Sequence, residues 1–145
     1  MVTTIRQIID RKGRDVFSVS PDTTVYDALT LMAEKNVGAV LVMRGEELAG
    51  IFSERDYARK IILLGRHSKD VPVAEIMTPK VVCIRPEQTA DECMALMTEK
   101  RIRHLPVLES GRLAGMVSIG DVVRAVISEQ EFTIEQLENY ISTAN

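Results

Sequence analysis

Tryptophan is absent from this chain of 145 residues, and its aromatic side chains are three phenylalanines and three tyrosines. Proteins that bind single-stranded nucleic acid stack bases on aromatic side chains, and those that bind duplexes present a basic stripe. Neither pattern is found here, because the net charge is −3 and the acidic and basic residues are interspersed along the chain. We therefore predict no nucleic-acid partner.

Long apolar runs are also missing. No stretch approaches the roughly 18 residues that a membrane-spanning helix needs, and residues 1–10 lack the apolar centre of a secretory signal. We therefore predict no association with a membrane. The expected compartment is the cytoplasm, with an organelle matrix as the alternative.

Residues that bind metals are scarce. The two cysteines are Cys83 and Cys93, the two histidines are His67 and His104, and no pair has the spacing of a metal site. In a reducing compartment the cysteines are expected to act as small core hydrophobes rather than to form a disulfide. We predict no metal site.

What the chain does contain is an internal repeat. Residues 16–62 and 81–127 carry the same pattern 65 positions apart, without a gap. The matched pairs include Pro21 and Pro86, Thr24 and Thr89, Met32 and Met97, Gly50 and Gly115, Ser53 and Ser118, Asp56 and Asp121, and Arg59 and Arg124. A repeat of this length indicates one structural unit used twice. Two such units are expected to pair about a pseudo-two-fold axis and to form two related clefts, where a function is to be sought.

Each copy of the repeat predicts the element order β-α-β-β-α. Thr24 and Thr89 fit capping boxes that begin the first helix, and Gly45 and Gly111 fit the turn of a hairpin. The predicted strands are 16–19, 39–43 and 48–52 in the first copy and 81–84, 104–108 and 113–117 in the second; the first helices end near Lys35 and Lys100, and the second helices begin near Ser53 and Ser118. The predicted fold class is α/β (α+β), two such units followed by a C-terminal helix.

The predicted division of the chain follows the repeat. Residues 1–72 hold the first copy with an N-terminal segment and a polar linker, and residues 73–130 hold the second. Residues 131–145 are predicted as a separate terminal helix, because Thr133 and Gln136 fit another capping box. That helix is predicted to pack on its own module or on a second subunit.

The strongest chemical signal is a Gly-x-x-Ser-x-x-Asp motif at the end of each hairpin, with Ser53 and Asp56 in the first copy and Ser118 and Asp121 in the second. A serine at a helix N-cap lies beside free N–H groups and the positive end of the helix dipole, which suits a phosphate. A carboxylate three residues later is able to accept two hydrogen bonds from a ribose diol, as in dinucleotide sites. The alternative is that Ser-x-x-Asp is only a capping box.

These motifs resemble those of the paired cystathionine-β-synthase (CBS) domains, whose tandem unit is called a Bateman module. The likeness covers about residues 10–130 and rests on the element order, on Ile76-Met77-Thr78, on Leu105-Pro106-Val107 and on both Gly-x-x-Ser-x-x-Asp motifs. The overall pattern is similar to small standalone CBS-pair proteins of bacteria and plant organelles. The resemblance implies that the chain binds an adenosine compound, namely AMP, ADP or ATP, with NAD(H) and S-adenosylmethionine as alternatives.

The resemblance also assigns roles to residues of two related sites. In the first, Asp121 would hold a ribose while Ser118, Arg103 and His104 contact phosphates. The residues predicted for this site are Asp121, Ser118, Gly120, Arg103 and His104, with Phe17, Ser18 and the backbone of Gly38 beside the adenine. The mirror site would use Asp56, Ser53 and Arg55, with Ala39 at the position of His104 and with Val82 and Cys83 beside the base.

The two predicted sites differ in charge. Arg103 and His104 are matched in the first copy by Gly38 and Ala39, which offer no charged side chain, whereas Arg55 is matched by Gly120. The positive charge therefore comes from different positions in the two sites. We expect the sites to differ in affinity or in ligand.

Three functions are compatible with the sequence. A nucleotide sensor that signals to an unidentified protein effector, or through its own homodimer, fits the paired motifs best. Catalysis is not expected, because neither motif serine has a histidine near it in the predicted units and no acids are spaced for acid–base chemistry. A partner-binding scaffold with non-functional clefts is the third. The exposed faces of residues 57–63 and 122–127 are the predicted homodimer surfaces.

Overall fold

A computed structural model describes residues 1–144, and its secondary structure follows the repeat. The elements in chain order are α1 (Ile5–Lys12), β1 (Ser18–Val19), α2 (Val25–Lys35), β2 (Ala39–Arg44), β3 (Glu47–Ser53), α3 (Glu54–Tyr57), a π-helical turn (Ala58–Ile62), a 3-10 turn (Val73–Glu75), α4 (Ala90–Lys100), β4 (His104–Glu109), β5 (Arg112–Ser118) and α5 (Ile119–Ala144). The mixed α/β fold class is confirmed.

The chain divides into two compact units. The first-repeat unit is Val16–Val81, and the second-repeat unit combines Met1–Asp15 with the chain from Val82 onward. Residues 1–15 thus belong with the second copy of the repeat, and residues 73–81 belong with the first. The compact units therefore do not coincide with the ranges 1–72 and 73–130, which follow the repeat along the chain.

The first-repeat unit is built on a three-stranded sheet in the order β1-β2-β3. β1 is parallel to β2, with Ser18 opposite Leu41, and β2 is antiparallel to β3. α2 begins after Thr24, whose Oγ1 accepts a hydrogen bond from the N–H of Asp27, and it ends at Lys35, as the sequence predicts. The core of this unit is formed by Val25, Ala28, Met32, Val40, Val42, Phe52, Ile61, Val71, Val73 and Ile76.

The first strand of the second copy is reduced to one bridge, so the predicted strand at 81–84 is wrong. Ile84 pairs with Val107 through hydrogen bonds to the backbone of Pro106 and Leu108. In the first copy the N–H of Leu41 donates to the carbonyl of Phe17. Pro106 stands at the position of Leu41 in the repeat and has no N–H to donate. The strand therefore cannot be extended toward Val82 in the same way.

The core of the second-repeat unit includes the N-terminal helix. Ile5 and Ile9 of α1 are fully buried, and the N–H of Ile5 donates to the carbonyl of Gln88 at 2.8 Å while the N–H of Ala90 donates to that of Thr3 at 2.9 Å. Cys93 is buried in the same core, as the sequence predicts, and burial raises the pKa of its thiol to about 12. Cys83, predicted to be a core residue as well, is only half-buried. α1 therefore contributes its apolar face to the second copy.

The predicted C-terminal helix is present, but it is not separate from the helix before it, because α5 runs without a break from Ile119 to Ala144; Asn145 lies outside the described residues. Thr133 does not cap a new helix. Its Oγ1 donates 3.0 Å back to the carbonyl of Glu129, a bond that a threonine makes inside a continuous helix. From Gln130 to Ser142 every side chain of α5 is exposed.

The two predicted homodimer surfaces are only partly exposed. In the first-repeat unit, Ile62 and Leu63 are exposed, and the helix there is short, since α3 passes into the π-helical turn after Tyr57. In the second-repeat unit, Val122 is buried in the core, while Ile127 is exposed. An outward apolar face therefore exists at both places, but Val122 does not belong to it.

Candidate functional site

The Ser118–Asp121 motif forms a closed hydrogen-bonded loop where β5 passes into α5. The N–H of Ser118 donates to Oδ2 of Asp121 at 2.8 Å, and Oγ of Ser118 donates to the same oxygen at 3.0 Å. In return, the N–H of Asp121 donates to Oγ of Ser118 at 3.3 Å. This is a reciprocal capping box, and it holds the carboxylate beside the N-terminus of a long helix.

Two cations also bind the Asp121 carboxylate. Nζ of Lys12, at the end of α1, donates to Oδ2 at 2.6 Å and to the carbonyl of Met116 at 3.0 Å. Nη2 of Arg124 donates to Oδ1 at 2.8 Å, the i, i+3 pair that the spacing permits. Burial by itself would raise the pKa of Asp121, but the hydrogen bonds from Lys12 and Ser118 outweigh it and lower the pKa below its ordinary value.

A cavity of about 340 Å³ opens beside this carboxylate within the second-repeat unit. It is lined by Ile8, Arg11 and Lys12 of α1 and by Asp121, Arg124, Ala125 and Ser128 of α5. Three of these side chains are cationic and one is anionic. The cavity therefore offers an anion a positively charged wall next to a carboxylate.

His104 and Arg103 lie at the start of β4 in the same unit. His104 is opposite Ser118 in the β4–β5 ladder, so the prediction that no histidine lies near a motif serine is wrong for Ser118. The carbonyl of Arg103 accepts a hydrogen bond of 2.8 Å from the N–H of Ile119. Burial lowers the pKa of His104, and the positive charge of Lys12 lowers it further. The structure thus brings His104 near both Lys12 and Asp121, while the side chain of Arg103 is exposed.

The first copy builds the same capping box with different charges around it. Ser53 donates from N and Oγ to Oδ2 of Asp56 at 3.0 and 3.1 Å. The other oxygen, Oδ1, lies 3.4 Å from Oγ1 of Thr78 and 3.4 Å from Nζ of Lys60. Asp56 thus pairs with a single cation from its own helical segment, at a longer distance than Lys12 and Arg124 keep from Asp121.

The remaining predicted residues are divided between the units. Gly120 is half-buried in the second-repeat unit, where a Cβ would lie 3.4 Å from Nη1 of Arg124. The carbonyl of Gly38 accepts a hydrogen bond of 3.1 Å from the N–H of Glu54, just as the carbonyl of Arg103 accepts one from the N–H of Ile119. Phe17, Ser18, Ala39 and Arg55 belong to the first-repeat unit, and Val82 and Cys83 belong to the second. Their contacts with a nucleotide stay predictions.

Sequence reasoning missed Lys12. Its partner Asp121 is 109 positions away, and Lys12 lies outside both copies of the repeat, so no local spacing connects the two. The only signal was the run Arg11-Lys12-Gly13-Arg14, three cations in four positions.

Within residues 1–144 no group of three or more metal-ligating side chains is found, and in that range no helix combines the length and apolarity needed to cross a membrane.

Comparison with known proteins agrees with the repeat. The chain is 46% identical to the mitochondrial CBS domain-containing protein CBSX3 of Arabidopsis thaliana, over 96% of this chain and 72% of that protein. It also resembles the structure of a CBS-domain protein of Burkholderia ambifaria, described as a signal-transduction protein, with 54% identity and a TM-score of 0.85 over 88% of this chain and 96% of the other. The profile of the CBS domain matches twice, at residues 5–63 and 73–128. This chain therefore belongs to the CBS-domain family, as a tandem CBS pair of the regulatory type.

Proposed function

We propose that this CBS pair is a sensor of adenine nucleotides and passes the state of its ligand to a protein partner. The observation that carries the proposal is Asp121, a nearly buried carboxylate fixed by Ser118 at a helix N-terminus, next to a cavity with three cationic side chains. A carboxylate in this position suits a ribose diol, and the cations suit phosphates. AMP, ADP and ATP are the proposed ligands, with NAD(H) as an alternative.

A second class of function, that of a scaffold with non-functional clefts, explains the capping boxes equally well. It does not explain the cationic wall, since neither Arg11 nor Arg124 is needed to cap α5. Catalysis is not proposed, because a nucleophile needs a base within hydrogen-bond reach, and the motif serines pair with carboxylates that already accept several hydrogen bonds. The proposed role is therefore binding without turnover.

The proposed effector is either a separate protein or a second copy of this chain, and α5 favours the second copy. Ile127, Ile134 and Ile141 recur every seven residues on this helix. Val123 lies four positions before Ile127 and Leu137 three positions after Ile134, in the 3-4 spacing of a coiled coil, and Gln130 takes the position between Ile127 and Ile134. The three isoleucines are 47%, 55% and 59% exposed. β-branched residues at one seam position with leucine at the other favour parallel two-stranded coils. We therefore propose a homodimer in which the α5 helices pair.

The compartment stays a prediction. The Arabidopsis relative is named as mitochondrial, which keeps an organelle matrix beside the cytoplasm as the proposed location of this chain.

The test is a panel of thermal unfolding measurements with AMP, ADP, ATP, NAD, NADH and S-adenosylmethionine. A ligand present at a hundred times its dissociation constant stabilises by about 2.7 kcal/mol, roughly a 5–10 °C rise in Tm for a chain of this size. The proposal expects such a rise with at least one adenine nucleotide, and its loss in Asp121→Ala or Asp56→Ala, each compared with its own ligand-free Tm. If no nucleotide raises the Tm of the wild-type protein, the scaffold function takes its place.

A further inference from the structure

Most of the hydrogen-bonding capacity of Asp121 is taken up within the unit. A carboxylate has about four lone-pair positions; Oδ2 accepts two bonds from Ser118 and one from Lys12, and Oδ1 accepts one from Arg124. The Ser118 bonds belong to the turn that begins α5 and are local to the motif. A ribose diol has two hydroxyl groups to donate and finds at most one free position, on Oδ1, so it would have to displace Lys12 or Arg124 for its second bond.

The two cations differ from Ser118 in being able to move. Their side chains are 39% and 74% exposed, whereas that of Asp121 is 8% exposed. Long flexible stems allow both charges to leave the carboxylate while staying at the wall of the same cavity. An uncharged nucleoside would leave them without an anionic partner, but a nucleotide brings its phosphates next to the ribose that displaces them.

Resting on the proposed function, we propose that Lys12 and Arg124 are specificity-determining residues, which exchange the Asp121 carboxylate for the phosphates of the ligand. The site then selects phosphorylated adenosine compounds over adenosine, and its affinity increases with the number of phosphates because Arg11 and Ser128 extend the same wall. S-adenosylmethionine, whose sulfonium and amino groups are cationic, is disfavoured.

The first copy lacks the Lys12 part of this exchange, although Nζ of Lys60 lies 3.4 Å from Oδ1 of Asp56. When the register of the repeat is extended beyond its ends, the equivalent of Lys12 is Met77, 65 positions later. The carbonyl of Met116, which accepts from Nζ of Lys12, corresponds to that of Ile51, which accepts a backbone hydrogen bond from Thr78. A backbone N–H in that place carries no charge to exchange. The exchange through the position of Lys12 is therefore a property of the second-repeat unit.

The test measures affinities for adenosine, AMP, ADP and ATP at one fixed salt concentration, using the NMR signals of the His104 ring as the reporter. His104 lies close enough to Lys12 and Asp121 to respond to their charges, and the chain has only one other histidine, so His67→Gln identifies the signal. Wild type, Lys12→Met and Lys12→Arg are compared. Arg14→Met is the matched control, since Arg14 pairs with Asp10 and does not line the cavity.

In Lys12→Met, the preference for ATP over adenosine should fall about tenfold or more, as expected for one lost charge-assisted hydrogen bond, while adenosine itself binds as tightly as before or more tightly. Lys12→Arg and Arg14→Met should keep the preference. An unchanged preference in Lys12→Met, or an equal weakening of all four ligands, would overturn this inference and leave the proposed function standing. If none of the four binds the wild-type protein, this inference falls, and the proposed function falls with it unless NAD or NADH raises the Tm in the thermal panel.

Discussion

The N–H of Thr3 donates a hydrogen bond of 2.6 Å to Oε1 of Glu129, 126 positions further along the chain. Both residues are buried, with 7% and 8% of their surface exposed. Glu129 is the last buried residue of α5 in the described chain, so this bond ties the N-terminal segment to the point where the helix leaves the second-repeat unit.

Glu129→Ala should lower the free energy of unfolding by about 1–3 kcal/mol, because it leaves the buried Thr3 N–H without its acceptor. Glu131→Ala, an exposed glutamate two positions later on the same helix, is the matched control and should stay within about 0.5 kcal/mol of wild type. Urea unfolding followed by circular dichroism measures both. Equal free energies of unfolding for the two variants would contradict the expected contribution of this hydrogen bond.

Gly50→Ala should destabilise more than Gly115→Ala, although the two glycines are matched in the repeat. A Cβ on Gly50 would lie 2.5 Å from Sδ of Met77 and 2.9 Å from the carbonyl oxygen of Thr78, whereas one on Gly115 would meet Ile9 at 3.1 Å. The Thr78 carbonyl cannot retreat freely, since it accepts a hydrogen bond from Ile51. We expect a loss of about 1–3 kcal/mol for Gly50→Ala and less for Gly115→Ala, measured in the same urea assay.

Stability should fall in acid partly through Asp121. Its pKa in the folded protein is lowered, so the folded state favours the ionised form. The stabilisation is then complete above the pKa of the unfolded chain, near pH 4, and is lost as the pH falls through the lower folded value. Asp121→Asn should flatten the decrease in stability between about pH 5 and pH 2, relative to the exposed control Asp22→Asn. Parallel pH curves for these two variants would contradict this assignment.

His104 should titrate below its ordinary pKa, because burial and the charge of Lys12 both disfavour the imidazolium. Its contribution to stability is complete above about pH 6.5 and is lost as the pH falls below that value and through the lower folded pKa. Lys12→Met should raise the pKa of His104, whereas Arg14→Met should not. NMR titration of the ring protons measures the shift, and no change in Lys12→Met would contradict the stated cause.

Ile134→Glu should dissociate the proposed homodimer, because it places a charge in the seam of the paired α5 helices. Glu135→Lys, one position away from the seam, is the control and should leave the dimer intact. Size-exclusion chromatography with light scattering at micromolar concentration reads the mass. A monomeric wild-type protein would rule out the homodimer itself.

The sequence predicted what depends on local spacing. Helix starts at Thr24 and Thr89, hairpin turns at Gly45 and Gly111, and the two Ser-x-x-Asp loops all lie where their patterns indicate. Each of these features is decided within a few residues, by a cap, a turn or a period. Because the repeat carries each pattern in both copies, each prediction rests on two occurrences.

What the sequence did not predict depends on contacts between residues far apart in the chain or on the missing N–H of a proline. Thr133 looks like a cap, but nothing interrupts the helix before it, so its hydroxyl bonds back to Glu129. Pro106 belongs to a motif of the family, and its missing N–H leaves only the bridge between Ile84 and Val107 where the first copy has a strand. Lys12 binds an aspartate 109 positions away, a distance at which no sequence pattern applies.

Because residues 1–15 belong to the second-repeat unit, the two units are completed one after the other during synthesis. Chains fold from the N-terminus as they leave the ribosome, and the first-repeat unit is continuous, from Val16 to Val81. The second-repeat unit is not. Its first helix precedes the first-repeat unit in the chain, yet Ile5 and Ile9 gain their core neighbours, which run from Ile84 to Ala125, only after the first-repeat unit has been made. The nascent protein therefore carries the apolar face of this helix without its final neighbours while the whole first-repeat unit is synthesised.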